Sequence, residues 1–447
     1  MKKLTFNNLV KLLKPEQVIR KSFYRCPDRF SMDSRELKKN EAFIAIKGSL
    51  FDGHCFIKEA VSKGASLIIS EEKKYCDNLN ACFFIVKDTF SSLGTISRHL
   101  RESENPKTIA ITGSVGKTTT KEMLSCLLGN KFNVLKNKKS ENNFLGVCKT
   151  LLRLEKQNCL ILELGTNSSG EIGGLTDICK PDLGIITFIK PVHTERLPRL
   201  KDILKEKIKL LSKNRDVIGI LNRDDSLLKN VKLKNRIFWF GKAKESHVFA
   251  KFVSSSQRES VFLVNNKYIL RLKTPAYFFI YNALGAILTA TLLGVDLDFC
   301  VERLQSFTAF PPMRMQRRVK KGTIFINDAY NSNPFSLREA LGVVAALPQP
   351  KIAVIGDMLE LGKKSVYYHK IMAREINKCN FDYVLTIGEY SLFLKKKLVE
   401  LGCKTVFHFD SHKAIVHFLK EITRIKKYLI LLKGSRGMEL EKIIEKF

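Results

Sequence analysis

The sequence predicts an α/β protein of several domains in which mainly parallel strands alternate with helices. A short apolar strand at residues 108–111 leads through a glycine-bounded turn into a helix that begins at Lys117. From about residue 313 onward, four apolar strands alternate with helical stretches, which is typical of a smaller parallel-sheet domain. A chain of 447 residues is too long for a single core and indicates two to four domains.

The net charge of +33 is the most unusual bulk property of the chain. Such a charge raises nucleic-acid or anionic-membrane binding as an alternative function. The lysines and arginines are spread over all regions, however, and are not interleaved with aromatic residues on which bases could stack. A lysine-rich composition that favours anionic substrates is therefore the preferred interpretation, and we expect no nucleic-acid partner.

Two further features bear on the compartment. The eleven cysteines occur singly, without a CxxC pair, which predicts reduced thiols in a cytoplasmic protein, and the amino-terminal residues lack the pattern of a signal peptide. Residues 276–295 are uncharged and long enough to span a bilayer. Because Asn282 lies within this segment and no second such segment occurs, we favour a helix buried in a soluble domain over membrane insertion.

The first region, residues 1 to 87, reads as a small α/β domain. Strands are predicted at residues 42–46 and 66–70, with helical spacing at residues 56–62 between them. Its loops carry a polar and mostly cationic set, namely Ser34, Arg35, Lys47, Asp52 and His54. A solvated surface is the alternative to a binding site here. An amphipathic helix at residues 88–105 then leads into the next domain.

The turn after the strand at residues 108–111 has the character of a phosphate-binding loop. It consists of Gly113, Ser114, Val115 and Gly116, and Lys117 opens the following helix. Backbone N–H groups at a helix start attract phosphate, Lys117 adds a mobile charge, and Thr118 offers a hydroxyl to Mg²⁺. The two glycines are separated by two residues instead of the four of a Walker A loop, so an ordinary turn between strand and helix is the alternative.

Further polar residues follow two apolar strands of the central region. The strand at residues 160–162 stops at Glu163, and the strand at residues 184–189 is followed by His193. The carboxyl ends of parallel strands meet at one edge of a sheet, so we expect Thr118, Glu163 and His193 to share a magnesium ion. The amides of Asn142 and Asn143 could orient a substrate nearby.

The remaining chain contains three informative segments. The helix at residues 202–211 holds Lys205, Lys207 and Lys209, most of which must be solvated. Pro311 and Pro312 indicate a hinge. Beyond it, the ends of the predicted strands carry Asp328, Asn331, Asn333, Asp357, Lys433, Ser435 and Arg436. The GSRG turn after the last strand could bind an anion, although this motif is weak by itself.

These motifs, in this order, resemble the Mur ligases, the family of ATP-dependent amide-forming enzymes that build the peptidoglycan precursor. The segments that carry the resemblance are DSRELKKNEAFIAIKG, FDGH, TGSVGKTTTKEM, ELGTNSSGEI, KPVHTE, YNALGA, MRMQ, DAYNSNP, GDMLELG and KGSRGME. They cover nearly the whole chain. The YNSNP and GDMLELG segments and the form of the first domain resemble the family branch whose acceptor is D-alanyl-D-alanine, and the DNPR segment typical of the branch that adds a diamino acid is missing from the sequence.

The resemblance implies three domains and a set of site residues. The domains are a UDP-sugar-binding domain (residues 1–87), a central ATP-binding domain with a phosphate loop (residues 88–312) and a Rossmann-like third domain (residues 313–447). The implied catalytic set is Lys117, Glu163, His193 and Lys207. The implied ATP contacts are Gly113, Ser114, Val115, Gly116, Lys117, Thr118, Thr119, Asn282, Arg314 and Asp328. The implied metal ligands are Thr118, Glu163, His193 and a carbamylated Lys207, for two Mg²⁺ ions.

The remaining implied contacts are with the two substrates. Ser34, Arg35, Lys47, Asp52 and His54 would contact the UDP-sugar, whereas Asn331 and Asn333 would lie on the dipeptide side. Three positions depart from the family pattern. Phe188 and Lys190 replace an asparagine and a glycine before His193, and Tyr281 stands where a histidine commonly precedes Asn282.

The activity implied is the ATP-dependent joining of D-alanyl-D-alanine to UDP-N-acetylmuramoyl-tripeptide through an acyl phosphate, carried out by a cytoplasmic monomer. A sibling ligase that adds a diamino acid, or a ligase like folylpolyglutamate synthase, is the closest alternative because it differs in the acceptor. An ATPase stimulated by nucleic acid is the alternative from another class.

Overall fold

The computed structural model describes residues 4–48, 51–77, 79–138, 141–191, 197 and 199–447. These residues form α/β structure with sheets of five, nine and six strands. The predicted fold class is confirmed, since most strand pairs in these sheets are parallel.

The five-stranded sheet lies in the first part of the chain. Its elements are α1 (Phe6–Leu13), β1 (Gln17–Ile19), β2 (Phe30–Ser31), β3 (Ala42–Ile44), α2 (Ile57–Ser62), β4 (Leu67–Ser70), β5 (Cys82–Ile85) and α3 (Thr89–Glu104). The strand order is β1-β5-β4-β3-β2, and β1 alone pairs antiparallel. Helix α3 begins after Asp88, whose carboxylate accepts a hydrogen bond from the backbone N–H of Phe90 at 2.9 Å.

The nine-stranded sheet holds the phosphate loop. Its elements are β6 (Lys107–Thr112), α4 (Lys117–Leu128), β7 (Val134–Lys136), α5 (Phe144–Leu152), β8 (Cys159–Glu163), α6 (Glu171–Cys179), β9 (Leu183–Ile186), α7 (Leu200–Ser212), β10 (Ile218–Asn222), β11 (Ile237–Gly241), β12 (Val248–Ser255), β13 (Ser260–Val264), β14 (Tyr268–Leu272), α8 (Ile280–Leu292) and α9 (Leu297–Gln305). The strand order is β14-β13-β12-β11-β10-β9-β6-β8-β7, and β12 to β14 form an antiparallel meander at one edge.

The uncharged segment at residues 276–295 contains the thirteen-residue helix α8. Ten residues of this helix are buried, and it packs against α4. Such all-round burial explains why the segment carries no charge. Among the described residues, no helix combines the length and the apolar character needed to cross a membrane.

The six-stranded sheet belongs to the last part of the chain. Its elements are β15 (Gln316–Lys320), β16 (Thr323–Asp328), α10 (Pro334–Ala345), β17 (Lys351–Gly356), α11 (Ser365–Asn377), β18 (Tyr383–Ile387), α12 (Glu389–Glu400), β19 (Val406–Phe409), α13 (His412–Ile425), β20 (Leu429–Lys433) and α14 (Glu441–Lys446). The order is β15-β16-β20-β17-β18-β19, with β15 antiparallel to β16. The register pairs Asp328 at the end of β16 with Lys433 at the end of β20.

The chain divides into two compact units. The first contains Met1–Ala110, Phe132–Thr166 and Gly170–Leu183, and the second contains Ile111–Lys131, Asn167–Ser169 and Gly184–Phe447. One core cluster of the first unit includes Phe43, Ile68 and Phe83, all buried. A core cluster of the second unit lies in the six-stranded sheet and includes Ile352 and Ile430.

Candidate active site

Two glycines give the phosphate loop a conformation that other residues avoid. Gly113 and Gly116 have φ angles of 145° and 88°, in the region that favours glycine. A Cβ atom on Gly113 would overlap the hydroxyl of Thr187, and one on Gly116 would overlap the side-chain amide of Asn282. The loop backbone therefore packs directly against Thr187 and Asn282, and a side chain at either glycine would prevent this contact.

The segment after β9 braces this loop by hydrogen bonds. The backbone N–H of Ser114 donates to the carbonyl of Phe188 at 2.7 Å. The Ser114 hydroxyl donates to the carbonyl of Lys190 at 2.8 Å and accepts from its N–H at 2.9 Å. The Thr187 hydroxyl donates to the carbonyl of Val115 at 2.5 Å. Ser114 and Val115, both predicted ATP contacts, are thus fixed by residues 187–190.

Asn282, at the start of α8, holds the other end of the loop. Its side-chain amide donates to the carbonyl of Gly116 at 3.1 Å and to the hydroxyl of Thr120 at 3.0 Å. The side chain is buried. The implied contact of Asn282 with ATP stays a prediction, whereas the observed hydrogen bonds give Asn282 a role in fixing the loop.

The first turn of α4 presents the polar groups expected at a phosphate site. The Lys117 ammonium donates to the carbonyl of Gly113 at 2.8 Å. The Thr118 hydroxyl accepts a hydrogen bond from Nη2 of Arg314 at 3.3 Å. The hydroxyl of Thr119 is buried and finds no partner in the described part of the chain. An unpaired buried hydroxyl is costly, so a bound acceptor would stabilise it.

Arg314 reaches the loop from the segment between α9 and β15. Its guanidinium carbon lies 4.5 Å from the centroid of the Tyr330 ring. Its Nε atom is buried and has no acceptor among the described residues. A cation with an unused donor fits an anionic ligand such as a phosphate oxygen.

Asp328, another predicted ATP contact, is already engaged on both oxygens. Oδ1 accepts from the N–H of Met315 at 3.0 Å, and Oδ2 forms an ion pair with Lys433 at 2.8 Å. Burial lowers the pKa of Lys433, whereas the charge of Asp328 acts in the opposite direction. A nucleotide contact by Asp328 would therefore share these oxygens.

Lys207 is buried on α7, whereas Lys205 two residues earlier is exposed. Burial, aided by the positive charge of Lys117, lowers the pKa of Lys207 to about 7, and Glu206 opposes this change. A large share of the Lys207 side chains is therefore neutral near pH 7. A neutral amine is nucleophilic, which is the property that carbamylation requires. The sequence-based choice of Lys207 over Lys205 agrees with this burial, and the modification itself is untested.

In the first unit, Glu163 ends β8 with a buried side chain. Its Oε1 accepts a hydrogen bond from the side-chain amide of Asn142 at 2.9 Å. Asn137 clamps its backbone, donating to the carbonyl and accepting from the N–H, both at 2.9 Å. Asn142 and Glu163 thus come together, while Asn143 caps α5 by accepting from the N–H of Gly146.

The predicted UDP-sugar contacts fall into two groups. The ring of His54 is buried, with Nδ1 2.7 Å from Oδ1 of Asp52 and Nε2 accepting from the N–H of Glu71 at 3.1 Å. Its two ring nitrogens are therefore both used within the protein. Lys47 forms an isolated β-bridge with Asp52, and their side chains are 3.9 Å apart. The geometry gives His54 the role of fixing the loop that carries Asp52 and Lys47.

Ser34 and Arg35 form the second group. The Ser34 hydroxyl donates to Glu59 at 3.0 Å. Arg35 is exposed and forms a two-point ion pair with Asp33, which lowers the pKa of that carboxyl. Arg35 keeps its charge at the surface, where an anionic ligand could compete with Asp33.

The two asparagines on the predicted dipeptide side differ in exposure. Asn331 is exposed, and its side-chain oxygen accepts from the N–H of Ser332 at 2.8 Å. Asn333 is buried and caps α10 in a capping box with Ser336. Asn331 is thus the more accessible of the two.

His193 lies outside the described residues. Within the described ranges, no group of three or more His, Cys, Asp and Glu side chains is placed to hold a metal ion. The predicted ligand set does not need such a group, because it includes a hydroxyl and a modified lysine.

Two residues with a clear place at this site, Thr187 and Tyr330, escape the sequence-based prediction. The sequence marks Lys433 as a polar group at a strand end, yet it does not reveal the partner of this lysine. Lys433 and Asp328 meet because β16 and β20, which are far apart in sequence, pair in this register. The only signal in the sequence is that both residues end a predicted parallel strand.

Known protein families and curated relatives match this chain over most of its length. Residues 29–129 match the model of the Mur ligase family catalytic domain, residues 111–290 the Mur ligase middle domain, and residues 313–436 the Mur ligase glutamate ligase domain. A curated relative from Buchnera aphidicola subsp. Baizongia pistaciae, named UDP-N-acetylmuramoyl-tripeptide--D-alanyl-D-alanine ligase, is 34% identical over 422 residues, covering 92% of this chain and 90% of the relative.

Two solved structures are similar over nearly their full length. The first is MurF from Acinetobacter baumannii, with a TM-score of 0.89, 27% identity and coverage of 100% of this chain and 98% of that one. The second is MurF ligase from Thermotoga maritima in complex with ADP, with a TM-score of 0.83, 27% identity and coverage of 96% and 98%. The three-domain fold is thus shared with these proteins.

Proposed function

The chain belongs to the Mur ligase family and is an ATP-dependent ligase, and from this premise we propose that it joins D-alanyl-D-alanine to UDP-N-acetylmuramoyl-tripeptide in peptidoglycan precursor synthesis. The relatives that match over most of the chain carry this activity in their names. The acceptor is therefore D-alanyl-D-alanine in preference to a diamino acid or glutamate.

The reaction follows from the low reactivity of a carboxylate. The terminal carboxylate of the tripeptide attacks the γ-phosphorus of ATP, so that a C–O–P linkage forms and ADP leaves. The amine of D-alanyl-D-alanine then attacks the carbonyl carbon of this acyl phosphate, loses a proton, and expels inorganic phosphate as the amide forms. Both steps bring anionic groups together, so their cost is set mainly by electrostatics.

The observation that carries the proposal is the glycine-lined loop at the start of α4. The left-handed Gly113 and Gly116 leave no Cβ over the loop, and Lys117 lies within it. The unpaired Nε of Arg314 and the unpaired hydroxyl of Thr119 in the described chain add donors that suit phosphate oxygens. Lys117 and Arg314 would offset the repulsion between the carboxylate and the γ-phosphate.

Magnesium is part of the proposal. The set Thr118, Glu163, His193 and carbamylated Lys207 comes from the sequence resemblance, and its oxygen donors suit a hard cation. The buried carboxylate of Glu163, with its backbone fixed by Asn137, is a group of this kind. Bound Mg²⁺ supplies charge neutralisation at the phosphates.

A carbamate on Lys207 would provide an anionic ligand from a lysine. The neutral amine forms an N–C bond with carbon dioxide and releases one proton, which leaves a carbamate anion. The burial of Lys207 and its lowered pKa favour the neutral amine that this step consumes.

We also propose the substrate side and the domain division from the resemblance. Residues 1–87 would bind the UDP-sugar, with Ser34, Arg35, Lys47 and Asp52 as contacts and His54 holding their loop. Residues 88–312 would bind ATP, and residues 313–447 would carry Asn331 and Asn333 toward the dipeptide. We place the reaction in the cytoplasm, where ATP and the nucleotide-linked precursor are supplied, and expect a monomer.

The experiment is to incubate the purified protein with ATP, Mg²⁺, UDP-N-acetylmuramoyl-tripeptides and D-alanyl-D-alanine, and to weigh the product. Parallel reactions replace the dipeptide by a diamino acid or by glutamate. We expect a product whose mass exceeds that of the tripeptide substrate by one D-alanyl-D-alanine less one water. One phosphate should be released for each product molecule. Product from another acceptor alone would overturn the assignment, as would full turnover by Lys117→Ala.

A further inference from the structure

Lys433 is a buried lysine whose three N–H donors are all used at one turn. Its ammonium lies 2.8 Å from Oδ2 of Asp328 and donates to the carbonyl of Asp328 at 3.2 Å and to that of Asn331 at 2.6 Å. The residue is 1% exposed. A lysine has three donors, so this set exhausts them. The turn at residues 328–331 is thus tied to the end of β20.

Tyr330 lies inside that turn and supports Arg314. Its backbone N–H donates to the carbonyl of Met313 at 3.1 Å, and its ring faces the guanidinium at 4.5 Å. A guanidinium over an aromatic face is attracted by the ring electrons, and the planar shape of both groups fixes the angle of the arginine.

The residues on either side of Arg314 are held by the same turn. Met313 accepts from the N–H of Tyr330, and the N–H of Met315 donates to Oδ1 of Asp328 at 3.0 Å. Met313 and Met315 both have positive φ angles, 57° and 49°, which non-glycine residues rarely adopt. Such a backbone persists only where its surroundings impose it, and here the turn at residues 328–331 provides the contacts.

Arg314 is therefore held by the ring of Tyr330 and by the backbone hydrogen bonds of its two neighbours, Met313 and Met315. From this position it reaches the phosphate loop. Nη2 touches Thr118, and Nε has no acceptor among the described residues. A buried ion pair such as Lys433 with Asp328 is weak evidence for stability, because apolar residues of similar size often serve as well. A role in fixing geometry accounts better for burying it here.

We propose that Tyr330 and Lys433 are positioning residues that hold Arg314 at the angle needed to meet the phosphates of ATP. Lys433 fixes the turn, the turn presents the Tyr330 ring, and the ring orients Arg314. This inference rests on the proposed function only in taking ATP as the ligand of Arg314.

The test compares Tyr330→Leu with Tyr330→Phe. Leucine removes the aromatic face and phenylalanine keeps it. Tyr330→Leu should weaken ATP binding about three- to thirtyfold by calorimetry, the range expected for a partly buried cation–aromatic contact, while the KM for D-alanyl-D-alanine stays within about twofold. Tyr330→Phe should restore ATP binding. Tyr367→Leu, at an exposed tyrosine of the same sheet domain, is the matched control and should bind ATP like the parent.

A double-mutant cycle with Arg314→Leu separates positioning from a general loss of structure. If Tyr330 acts through Arg314, Tyr330→Leu should have no further effect on ATP binding in the Arg314→Leu background. Lys433→Met, which leaves Asp328 without its cation, should behave like Tyr330→Leu in the same cycle. Independent, multiplying effects, or equal losses in the Phe and Leu variants, would overturn the inference. Calorimetry needs no acceptor, so a wrong acceptor assignment would show in the product assay and leave this test intact.

Discussion

Gly116 is a residue of the phosphate loop at which a single added methyl group should have a large effect. Two factors disfavour alanine at this position: the φ angle of 88°, and the overlap that the added methyl group would make with the side-chain amide of Asn282. Gly116→Ala should therefore strain the loop by roughly 1–3 kcal/mol and weaken ATP binding about tenfold or more. Calorimetric titration with ATP measures this change.

Gly174→Ala is the matched control for this substitution. Gly174 lies in α6, and a Cβ at this position meets no atom within 4 Å. Alanine should be tolerated there and favour the helix slightly. If Gly116→Ala bound ATP as tightly as Gly174→Ala, the loop would not be the nucleotide site.

Lys207 should make activity depend on dissolved carbon dioxide. Removing carbon dioxide from buffer and protein should lower turnover severalfold, and added bicarbonate should restore it, because the buried amine would lose its carbamate. Lys207→Met should be inactive under both conditions. Steady-state phosphate release measures the effect.

Lys205→Met supplies the control, since Lys205 is exposed on the same helix. This variant should keep both its activity and its response to bicarbonate. A parent enzyme that turned over equally with and without carbon dioxide would remove the case for the carbamate.

At the residue scale, sequence reasoning locates the phosphate loop well and the surrounding partners poorly. The helix start predicted at Lys117 is observed. The resemblance implies that His54 contacts the UDP-sugar, and this stays a prediction; in the structure both ring nitrogens of His54 have partners within the protein. Asn282 can be placed near the loop only by likeness to the family. Hydrogen-bond partners far apart in sequence leave no local pattern, which is why such roles escape prediction.

At the scale of elements, three departures from the family pattern prove to be neighbours. The ring of Phe188, just after β9, meets the ring of Tyr281, on α8, edge to face at 5.0 Å. The Lys190 ammonium lies 5.5 Å from the Phe188 ring. Since the Phe188 carbonyl holds Ser114 and Tyr281 precedes Asn282, this contact supports both braces of the phosphate loop.

We therefore predict that Phe188 and Tyr281 are energetically coupled. Phe188→Asn and Tyr281→His, which restore the residues usual in the family, should each weaken ATP binding. The loss of ATP-binding free energy in the double variant should be smaller than the sum of the two single losses, by roughly 0.5–1.5 kcal/mol. ATP binding by calorimetry on the four proteins gives this coupling.

Phe407→Leu serves as the control partner in that cycle, because Phe407 on β19 packs against Tyr383 on β18 and Phe418 on α13. Its effect should add to that of Phe188→Asn without coupling. Additive effects for Phe188 and Tyr281 as well would contradict the predicted coupling.

Most elements of the parallel sheets can be predicted, because buried strands are apolar runs bounded by turn residues. The strands β6, β8, β16 and β20 all lie close to apolar runs that predict them. The antiparallel strand β15, with the sequence QRRVK, is missing from the prediction, which has only a hinge in this region. An edge strand can be polar because one side faces solvent, so its composition resembles that of a loop.

For the whole molecule, charge is the property that the fold leaves unexplained. The net charge is +33, and the proposed substrates, ATP and a UDP-linked peptide, are both anions. A field of this sign should speed the encounter with anionic substrates, and dissolved salt should weaken it. The chemical step takes place between groups that are already bound and in contact, so its rate should depend less on salt concentration.

Raising potassium chloride from about 50 to 300 mM should therefore lower kcat/KM for the UDP-linked tripeptide severalfold, while kcat changes by less than about twofold. The zwitterionic D-alanyl-D-alanine provides an internal control, because its lack of net charge predicts a nearly constant KM. Initial rates at fixed saturating co-substrates measure both. Equal salt effects on the two substrates would contradict steering, and hydrolysis of ATP stimulated by polynucleotide with a steep salt dependence would favour the nucleic-acid alternative.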